Sequence, residues 1–160
     1  MELWDAYDSN FQKIDGITLV RGEESNIPKG IYHMVVFILV RHVDGQYLLM
    51  RRSPSKTYPL YWEATAGGSV LQGESAVEGA IRELREETGI IADTLEEKEH
   101  FVQDDTHSAY YAFVCVTSCD KESVVLQEGE TCDYKWVDRE ELLSMGDDEL
   151  LAQTMRKYVI

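Results

Sequence analysis

The most informative segment of this chain spans residues 68–90 and reads Gly68-Ser-Val-Leu-Gln-Gly-Glu-Ser-Ala-Val-Glu-Gly-Ala-Ile-Arg-Glu-Leu-Arg-Glu-Glu-Thr-Gly-Ile90. It predicts a helix that begins near Glu74 or Ser75 and ends at Thr88, because Gly89 is a residue type that caps helices in the left-handed conformation. Residues at three- and four-residue steps share one face of such a helix. The stripe that we expect to pack on a sheet consists of Val77, Ile81, Leu84 and Thr88.

Three carboxylates of the same helix, Glu83, Glu86 and Glu87, stand at i, i+3 and i+4 and therefore share another face. Like charges at this spacing destabilise a helix by about 0.2–0.5 kcal/mol per pair, and the helix dipole disfavours anions near the C-terminal end. A hard cation removes the conflict, since Mg²⁺ binds through a few carboxylates plus substrate phosphates. Taken alone, such an acidic cluster is more typical of a solvated helix face, and a metal site is the alternative. Arg82 can pair with Glu86 four residues later.

The residues that precede this helix suit a ligand site as well. Gly67 and Gly68 lack a β-carbon, so the backbone there can approach a ligand closely or adopt left-handed angles. Glu74 stands at the helix start, where the dipole favours an acid. It could be a helix-start acid, a metal ligand or both.

The rest of the chain alternates strand-like segments with turns, which predicts a mixed sheet packed between helices. Asp15-Gly16 predicts a hairpin between Phe11–Ile14 and Ile17–Val20, and Asp44-Gly45 a tight turn. The other expected strands are His33–Val40, Gln46–Arg52, Trp62–Thr65, His100–Gln103, Ala109–Thr117 and Asp133–Val137. Two further helices are expected at Arg139–Ser144 and Asp147–Tyr158.

The composition limits the partners of the protein. A net charge of -15 argues against a nucleic-acid polymer, which is bound through Lys and Arg. The longest apolar run, Met34 to Val40, is too short to span a membrane, and the acidic N-terminus does not resemble a signal peptide. We therefore expect a cytoplasmic protein. Three cysteines at unpatterned spacing, Cys115, Cys119 and Cys132, do not suggest a disulfide framework.

The stretch 68–90 resembles the Nudix box, Gly-x5-Glu-x7-Arg-Glu-U-x-Glu-Glu-x-Gly-U, in which U is aliphatic. Every specified position is filled, by Gly68, Glu74, Arg82, Glu83, Leu84, Glu86, Glu87, Gly89 and Ile90. The resemblance is to the Nudix (MutT-like) hydrolase superfamily and implies one domain over residues 1–160. The implied fold is an α/β/α sandwich with a mixed β-sheet, the box forming a loop-helix-loop. The implied cofactor is Mg²⁺, with Mn²⁺ possible.

The resemblance also implies a role for each residue of the box. Glu86 and Glu87 would be the principal metal ligands, and Glu83 a ligand or the catalytic base. The remaining implied residues are Glu74 and the Gly68 carbonyl as further metal ligands, and Arg82 to orient the glutamates. Late in such folds a loop often supplies another acid, for which Glu130 is the first candidate and Glu128 the second, with a solvated loop acid as the alternative for either.

Outside the box, the chain is similar to the Nudix subgroup related to isopentenyl-diphosphate isomerase. The similar segments are Glu2–Asp8, Gly30–His33, Leu48–Arg52 with Lys56, and Pro59–Trp62. They suggest Arg51, Arg52 and Lys56 as phosphate contacts, with surface ion pairs as the alternative, and Trp62 as a substrate or core residue. His33 matches a metal-ligand position of the isomerases, but we expect a hydrogen-bonded strand histidine.

The isomerases need a cysteine just before the box, and 62–68 contains none. We therefore expect hydrolysis of a diphosphate linkage in a small soluble substrate, such as a nucleoside diphosphate linked to another moiety. The alternatives are an isomerase-like enzyme and a ligand-sensing domain without catalysis. A homodimer is common among relatives of this kind.

Overall fold

The computed structural model describes residues 1–151 and 153–160, with the side chains of all of these except 153 and 154. Two α-helices and ten strands alternate along the described chain, together with short 3-10 turns. In chain order they are β1 (Leu3–Tyr7), β2 (Lys13–Val20), β3 (His33–His42), β4 (Tyr47–Arg52), β5 (Trp62–Glu63), β6 (Thr65–Ser69), α1 (Ala76–Thr88), β7 (Glu96–Gln103), β8 (Ser108–Thr117), β9 (Thr131–Val137), α2 (Arg139–Ser144) and β10 (Leu150–Leu151).

Helix α1 is delimited by signals in its own sequence. The Ser75 hydroxyl accepts a hydrogen bond from the Glu78 amide at 3.2 Å, and the Glu78 carboxylate accepts one from the Ser75 amide at 3.0 Å. This reciprocal capping box satisfies two amides that would otherwise lack partners. At the other end Gly89 takes a φ of 77°, and its amide donates to the Arg85 carbonyl. The predicted helix is confirmed.

The face that α1 buries differs in part from the expected stripe. Its buried residues are Gly79, Ala80, Leu84 and Thr88. Val77 is 40% exposed instead. Small residues let the helix lie close to the sheet, and a β-carbon at Gly79 would stand only 2.9 Å from the Val70 side chain. The helix therefore faces the sheet with a slightly different side than expected. In this orientation Glu83 and Glu87 are half-buried at the edge of the contact between α1 and the sheet.

Strand β3 is the centre of a mixed sheet that has eight strands in the described part of the chain. It pairs with β8 in parallel along its whole length and with β6 antiparallel, and β7 pairs with the far side of β8. Strand β4 leaves β3 through the Asp44-Gly45 turn, as predicted, and lies between β9 and β5, with β10 beyond β5. The predicted mixed sheet is confirmed.

Successive residues of β3 and β4 point to opposite faces, as in any strand, and each face has its own core. Val36, Ile38 and Leu48 pack beneath α1 with Leu84. Leu39, Tyr47 and Leu49 pack on the other face, with Leu142 of α2 and Met155 near the C-terminus. Helical elements thus cover both faces of the sheet, which is the predicted α/β/α sandwich. No described helix is long and apolar enough to cross a membrane.

Three sequence predictions about individual elements were wrong. Residues 13–20 form one strand, because Asp15-Gly16 is a bulge opposite the Asp5–Ala6 step of β1 and not a hairpin turn. Trp62–Thr65 is divided between β5 and β6, and Gly67 and Gly68 lie inside β6. The helix expected over Asp147–Tyr158 is instead the short strand β10 and a 3-10 helix at Gln153–Tyr158, with position 152 outside the described residues.

Strands β1 and β2 form a separate two-stranded ribbon, residues 3–20, that is attached to the start of β3. The Trp4 ring stacks on the His33 ring, with centroids 4.1 Å apart and planes inclined by 12°. Tyr7 and Tyr32 exchange both backbone hydrogen bonds at 2.9 Å. The ribbon also stands beside the loop that leads from β6 into α1, because the Leu3 carbonyl accepts a hydrogen bond from the Gln72 amide.

Candidate active site

A cleft of about 350 Å³ opens beside the carboxylate face of α1. Its floor is strand β6 and its far wall is formed by the loops that follow β4 and precede β9. The predicted site residues that line it are Arg52, Lys56, Gly68, Arg82, Glu83, Glu86, Glu87 and Glu130. The structure thus brings together residues from four separate parts of the sequence.

Arg82 connects the carboxylates of the box. Its guanidinium binds Glu74 in a bidentate manner at 2.8 and 3.0 Å. It also donates to the carboxylates of Glu83 at 3.0 Å and Glu86 at 3.3 Å, and to the Ser69 carbonyl at 3.1 Å. These charge-assisted hydrogen bonds raise the pKa of the Arg82 guanidinium above its usual range, Glu74 contributing most. The geometry agrees with the predicted orienting role of Arg82.

Gly67 and Gly68 in β6 both need to be glycine because neighbouring atoms lie too close to leave room for a β-carbon. Their φ angles lie outside the left-handed region, so backbone conformation is not the reason. A β-carbon at Gly68 would stand 2.6 Å from a carboxylate oxygen of Glu83. A β-carbon at Gly67 would stand 2.3 Å from the Val36 carbonyl oxygen in β3. Gly68 therefore leaves room for the Glu83 carboxylate, whereas Gly67 leaves room for the neighbouring strand.

Glu83 and Glu87 are unusual carboxylates because both are largely withdrawn from water. Burial raises the pKa of Glu83, although Arg82 acts in the opposite direction. Burial, together with the nearby charge of Glu83, raises the pKa of Glu87 to about 8. The amide of Gly67 donates to Glu87 at 3.2 Å, but no ion pair reaches Glu87 within the described chain. A buried carboxylate without a cation fits a site that a cation completes.

The far wall carries two ion pairs. Arg52 pairs with Glu63, and Lys56 pairs with Glu130. The Arg52 guanidinium also holds the loop after β4 through the Thr57 carbonyl, at 2.6 Å. The Ser53 amide donates to the Glu130 carbonyl at 3.0 Å, which joins this loop to the one before β9. Lys56 and the carboxylate of Glu130, which is the candidate for a further acid, thus lie together opposite the carboxylates of α1.

The cleft has an excess of acid. Four basic side chains line it among the described residues, against six carboxylates, which leaves two net negative charges when all are ionised and one when Glu87 is protonated. Each basic side chain already has a carboxylate partner: Arg21 with Glu2, Arg52 with Glu63, Lys56 with Glu130, and Arg82 with the box glutamates. An anionic substrate therefore needs additional positive charge to enter.

The donor set fits a hard divalent cation. Carboxylate oxygens of Glu83, Glu86 and Glu87 line one cleft, and Mg²⁺ requires only one or two protein carboxylates beside substrate oxygens and water. Across residues 1–151 and 153–160, no three His, Cys, Asp or Glu side chains already surround a common point. Arg82 forms ion pairs with both Glu83 and Glu86. A cation would have to compete with this arginine for the two carboxylates.

Several predicted site residues lie elsewhere. Arg51 and Trp62 are absent from the described lining of the cleft; the Arg51 guanidinium lies over the Trp62 ring, 5.4 Å from its centroid. Glu74 is engaged by Arg82 behind the cleft, which favours the helix-start acid over the metal ligand. Glu128 is exposed and outside the lining.

His33 also lies away from the cleft. It is buried against Trp4, and this burial lowers its pKa. Its Nδ1 has no hydrogen-bond partner among the described residues, whereas the ring has a hydrogen bond with the backbone of Thr106, so the expected hydrogen-bonded histidine is only partly found.

Sequence reasoning missed the contribution of the N-terminal segment. Glu2 and Arg21 line the cleft, and Glu63 and Ser69 do so from β5 and β6. No local pattern marks Glu2 or Arg21, because they reach the cleft only through the docking of the ribbon. Glu63 could have been suspected, since it is the acid immediately before the glycine-containing strand.

Comparison with known proteins agrees with this geometry. Residues 31–159 match the NUDIX domain. A protein of Listeria monocytogenes named an uncharacterized Nudix hydrolase is 31% identical over 143 residues, which are 89% of this chain and 83% of that protein. A crystal structure from Deinococcus radiodurans, DR0079, superposes with a TM-score of 0.71 over 99% of both chains at 21% identity. The MutT protein of Methanosarcina mazei Go1 superposes with a TM-score of 0.59 at 30% identity, covering 80% of this chain and 90% of that one.

The fold and the carboxylate helix define an enzyme of the type that hydrolyses pyrophosphate bonds. The chain belongs to the NUDIX family and is a Nudix hydrolase. Members of this family generally need divalent metal ions and act on small molecules.

Proposed function

We propose that the protein is a Mg²⁺-dependent hydrolase of a diphosphate linkage in a small metabolite, such as a nucleoside diphosphate joined to another moiety. The observation that carries this proposal is that the carboxylates of the box and two basic side chains line the same cleft. Glu83, Glu86 and Glu87 offer oxygen ligands to a cation, and Arg52 and Lys56 face them from the other wall. A magnesium diphosphate presents both of the charges that this arrangement would bind.

The box carboxylates would hold the cation, with Mn²⁺ as a substitute for Mg²⁺. When bound, the metal would neutralise charge on the diphosphate oxygens and increase the acidity of water. Arg82 keeps Glu83 and Glu86 at their places through its hydrogen bonds at 3.0 and 3.3 Å. Arg52 and Lys56 would bind the phosphate oxygens and balance the charge that develops on the leaving group.

The reaction is an attack of water on phosphorus. A new bond forms between the water oxygen and phosphorus, the bridging oxygen leaves with the bond electrons, and a carboxylate takes the proton of the water. Glu130 is our first choice for this base because it lines the cleft beside Lys56, which a phosphate would attract away. Glu83 is the second, since burial raises the pKa of its carboxyl toward the range of a useful base.

Recognition of the substrate rests mainly on the phosphates. Among the described residues that line the cleft, none is aromatic, and Met50 is the only large apolar one. Four aromatic side chains that could stack on a base, Trp62, Tyr58, Tyr61 and Tyr110, are all outside this lining. The organic part of the substrate would therefore extend toward the mouth of the cleft.

The isomerase alternative lacks its acid–base group in this cleft. Cys115 is buried in the core, and neither Cys119 nor Cys132 belongs to the described lining. The resemblance to the isomerase subgroup, the single domain over 1–160, a homodimer and a cytoplasmic location stay predictions.

The decisive experiment measures phosphate release from a panel of diphosphate compounds with Mg²⁺ or with a chelator. Glu86→Gln should reduce turnover by about 10²–10³-fold, because a metal ligand is lost without a change of shape. Glu78→Gln is the matched control on the same helix, since glutamine also completes a capping box.

Metal-dependent turnover that disappears in Glu86→Gln and persists in Glu78→Gln would support the proposal. Near-normal turnover in Glu86→Gln would refute it. Binding of Mg²⁺ and of a diphosphate without any turnover would favour the ligand-sensing alternative.

A further inference from the structure

The turn that begins the box is held by the N-terminal ribbon. The Glu74 amide donates to the Leu71 carbonyl at 3.0 Å, and Gly73, the third residue of this turn, has a φ of 88°. A positive φ at this position is what a type II turn requires. The amides of Gln72 and Gly73 point away from such a turn and need partners elsewhere.

Both amides find their partners in the ribbon. The Gln72 amide donates to the Leu3 carbonyl at 2.9 Å, and its side chain donates to the Thr18 hydroxyl at 3.0 Å. The Gly73 amide donates to the Asp5 carboxylate at 2.9 Å. Asp5 is only 6% exposed, and its other contact is a 3.6 Å ion pair with Lys13. A buried carboxylate is thus aimed at a single backbone amide of the box.

This turn is connected to the carboxylates of the cleft through one residue. Glu74 closes the turn and accepts the Leu71 amide at 2.8 Å. The same carboxylate receives both hydrogen bonds of the Arg82 fork. Arg82 in turn holds Glu83 and Glu86. Displacement of the turn would therefore move Arg82 and, with it, two of the candidate metal ligands.

We propose that Asp5 is a positioning residue of the catalytic helix and that the ribbon is a functional part of the active site. The ribbon lies before residue 31, where the match to the NUDIX domain begins. Asp5 acts through Gly73, Glu74 and Arg82 and does not touch the substrate. The proposal rests on the proposed hydrolase function, because its kinetic consequence is measured on that reaction.

The test compares three variants of the full chain. Asp5→Ala should lower kcat about tenfold and raise the Mg²⁺ concentration for half-maximal activity severalfold, while KM changes less than threefold. Asp5→Asn keeps an oxygen that accepts from Gly73 and should recover most of kcat. Lys13→Met is the matched control, because it removes the other partner of Asp5 and leaves the Gly73 contact.

A second readout does not depend on activity. In the metal-free protein, Asp5→Ala should accelerate hydrogen exchange of the Gly73 amide at least tenfold, while the amide of Leu84 in the same helix keeps its wild-type rate. Asp5→Asn and Lys13→Met should leave the Gly73 amide protected. If the wild-type protein hydrolysed no diphosphate, the proposed function would fail, but this exchange measurement would still decide whether Asp5 holds the turn.

The proposal would be overturned by normal kcat in Asp5→Ala, or by equal exchange of Gly73 in Asp5→Ala and wild type. It would also be overturned if Lys13→Met lost as much kcat as Asp5→Ala. That result would mean that kcat follows the general stability of the ribbon and not the Gly73 contact.

Discussion

Replacing Gly68 by alanine should separate activity from stability. The added β-carbon would stand 2.6 Å from a Glu83 carboxylate oxygen, whereas non-bonded heavy atoms are best separated by about 3.5 Å. The carboxylate must therefore retreat by about 0.9 Å. A misplacement of about 1 Å at a catalytic group costs about 10²-fold in rate, or about 2.7 kcal/mol of transition-state stabilisation.

The fold should tolerate the same change. The obstructing atoms belong to a flexible side chain, and alanine also restricts the unfolded chain, which contributes about 0.4–1 kcal/mol to stability. We expect the free energy of unfolding to change by about 1 kcal/mol or less. Urea denaturation measures this value, and steady-state hydrolysis measures kcat on the same preparation.

Gly67→Ala is the matched control with the opposite outcome. Its β-carbon would stand 2.3 Å from the Val36 carbonyl, which is fixed in the pairing of β3 with β6. Two strands must separate, so the loss of stability should reach about 3 kcal/mol, at the upper end of overpacking effects. Equal destabilisation by the two substitutions, or activity of Gly68→Ala within threefold of wild type, would refute this reasoning about Glu83.

Three further predictions concern individual side chains. Glu130→Gln should reduce kcat by about 10²-fold if this carboxylate is the base, whereas Glu128→Gln, in the same loop but outside the cleft, should leave it unchanged; equal rates in steady-state assays would contradict the assignment. Burial raises the folded-state pKa of Glu87 from 4.5 to about 8, so the unfolded chain releases this proton at lower pH than the folded one does. Metal-free protein should therefore lose stability as the pH rises between these values, and urea midpoints in a chelator should fall less steeply in Glu87→Gln. Burial raises the pKa of the Cys115 thiol to about 11, so a thiol reagent at pH 8 should label exposed Cys132 in the native protein and Cys115 only after unfolding; fast native labelling of Cys115 would show that the core opens.

The helix and its carboxylate face could be predicted because their determinants are local. Ser75, Glu78 and Gly89 delimit α1 by contacts within a few residues, and the spacing of the glutamates fixes their common face. The buried face of α1 was harder to predict from the sequence, because Gly79 and Ala80 are only weakly hydrophobic. They are buried because β6 lies close to the helix, and the spacing of hydrophobic residues within the helix does not indicate this.

The choice between Arg51 and Arg52 shows where sequence reasoning could have been sharper. Neighbouring residues of a strand point to opposite faces, so only one of this pair could reach a given cleft. Met50 and Arg52 line the cleft, and Arg51 lies over Trp62 on the other face. By contrast, the roles of Asp5 and Arg21 depend on the docking of the ribbon, and the bulge at Asp15-Gly16 that shapes it resembles a hairpin turn in the sequence.

The charge arrangement of the cleft predicts that a divalent cation is needed for binding of the diphosphate. A diphosphate that takes Arg52 and Lys56 must separate them from Glu63 and Glu130, which leaves two carboxylates beside the incoming anion. Because the cleft already has more carboxylates than basic groups, this exchange adds repulsion unless a divalent cation enters with the substrate. Calorimetry with a non-hydrolysable methylene diphosphate analogue should therefore detect binding with Mg²⁺ and none in a chelator. Equal affinity under both conditions would mean that the basic wall alone recognises the diphosphate and that the acid excess lies too far from it to matter.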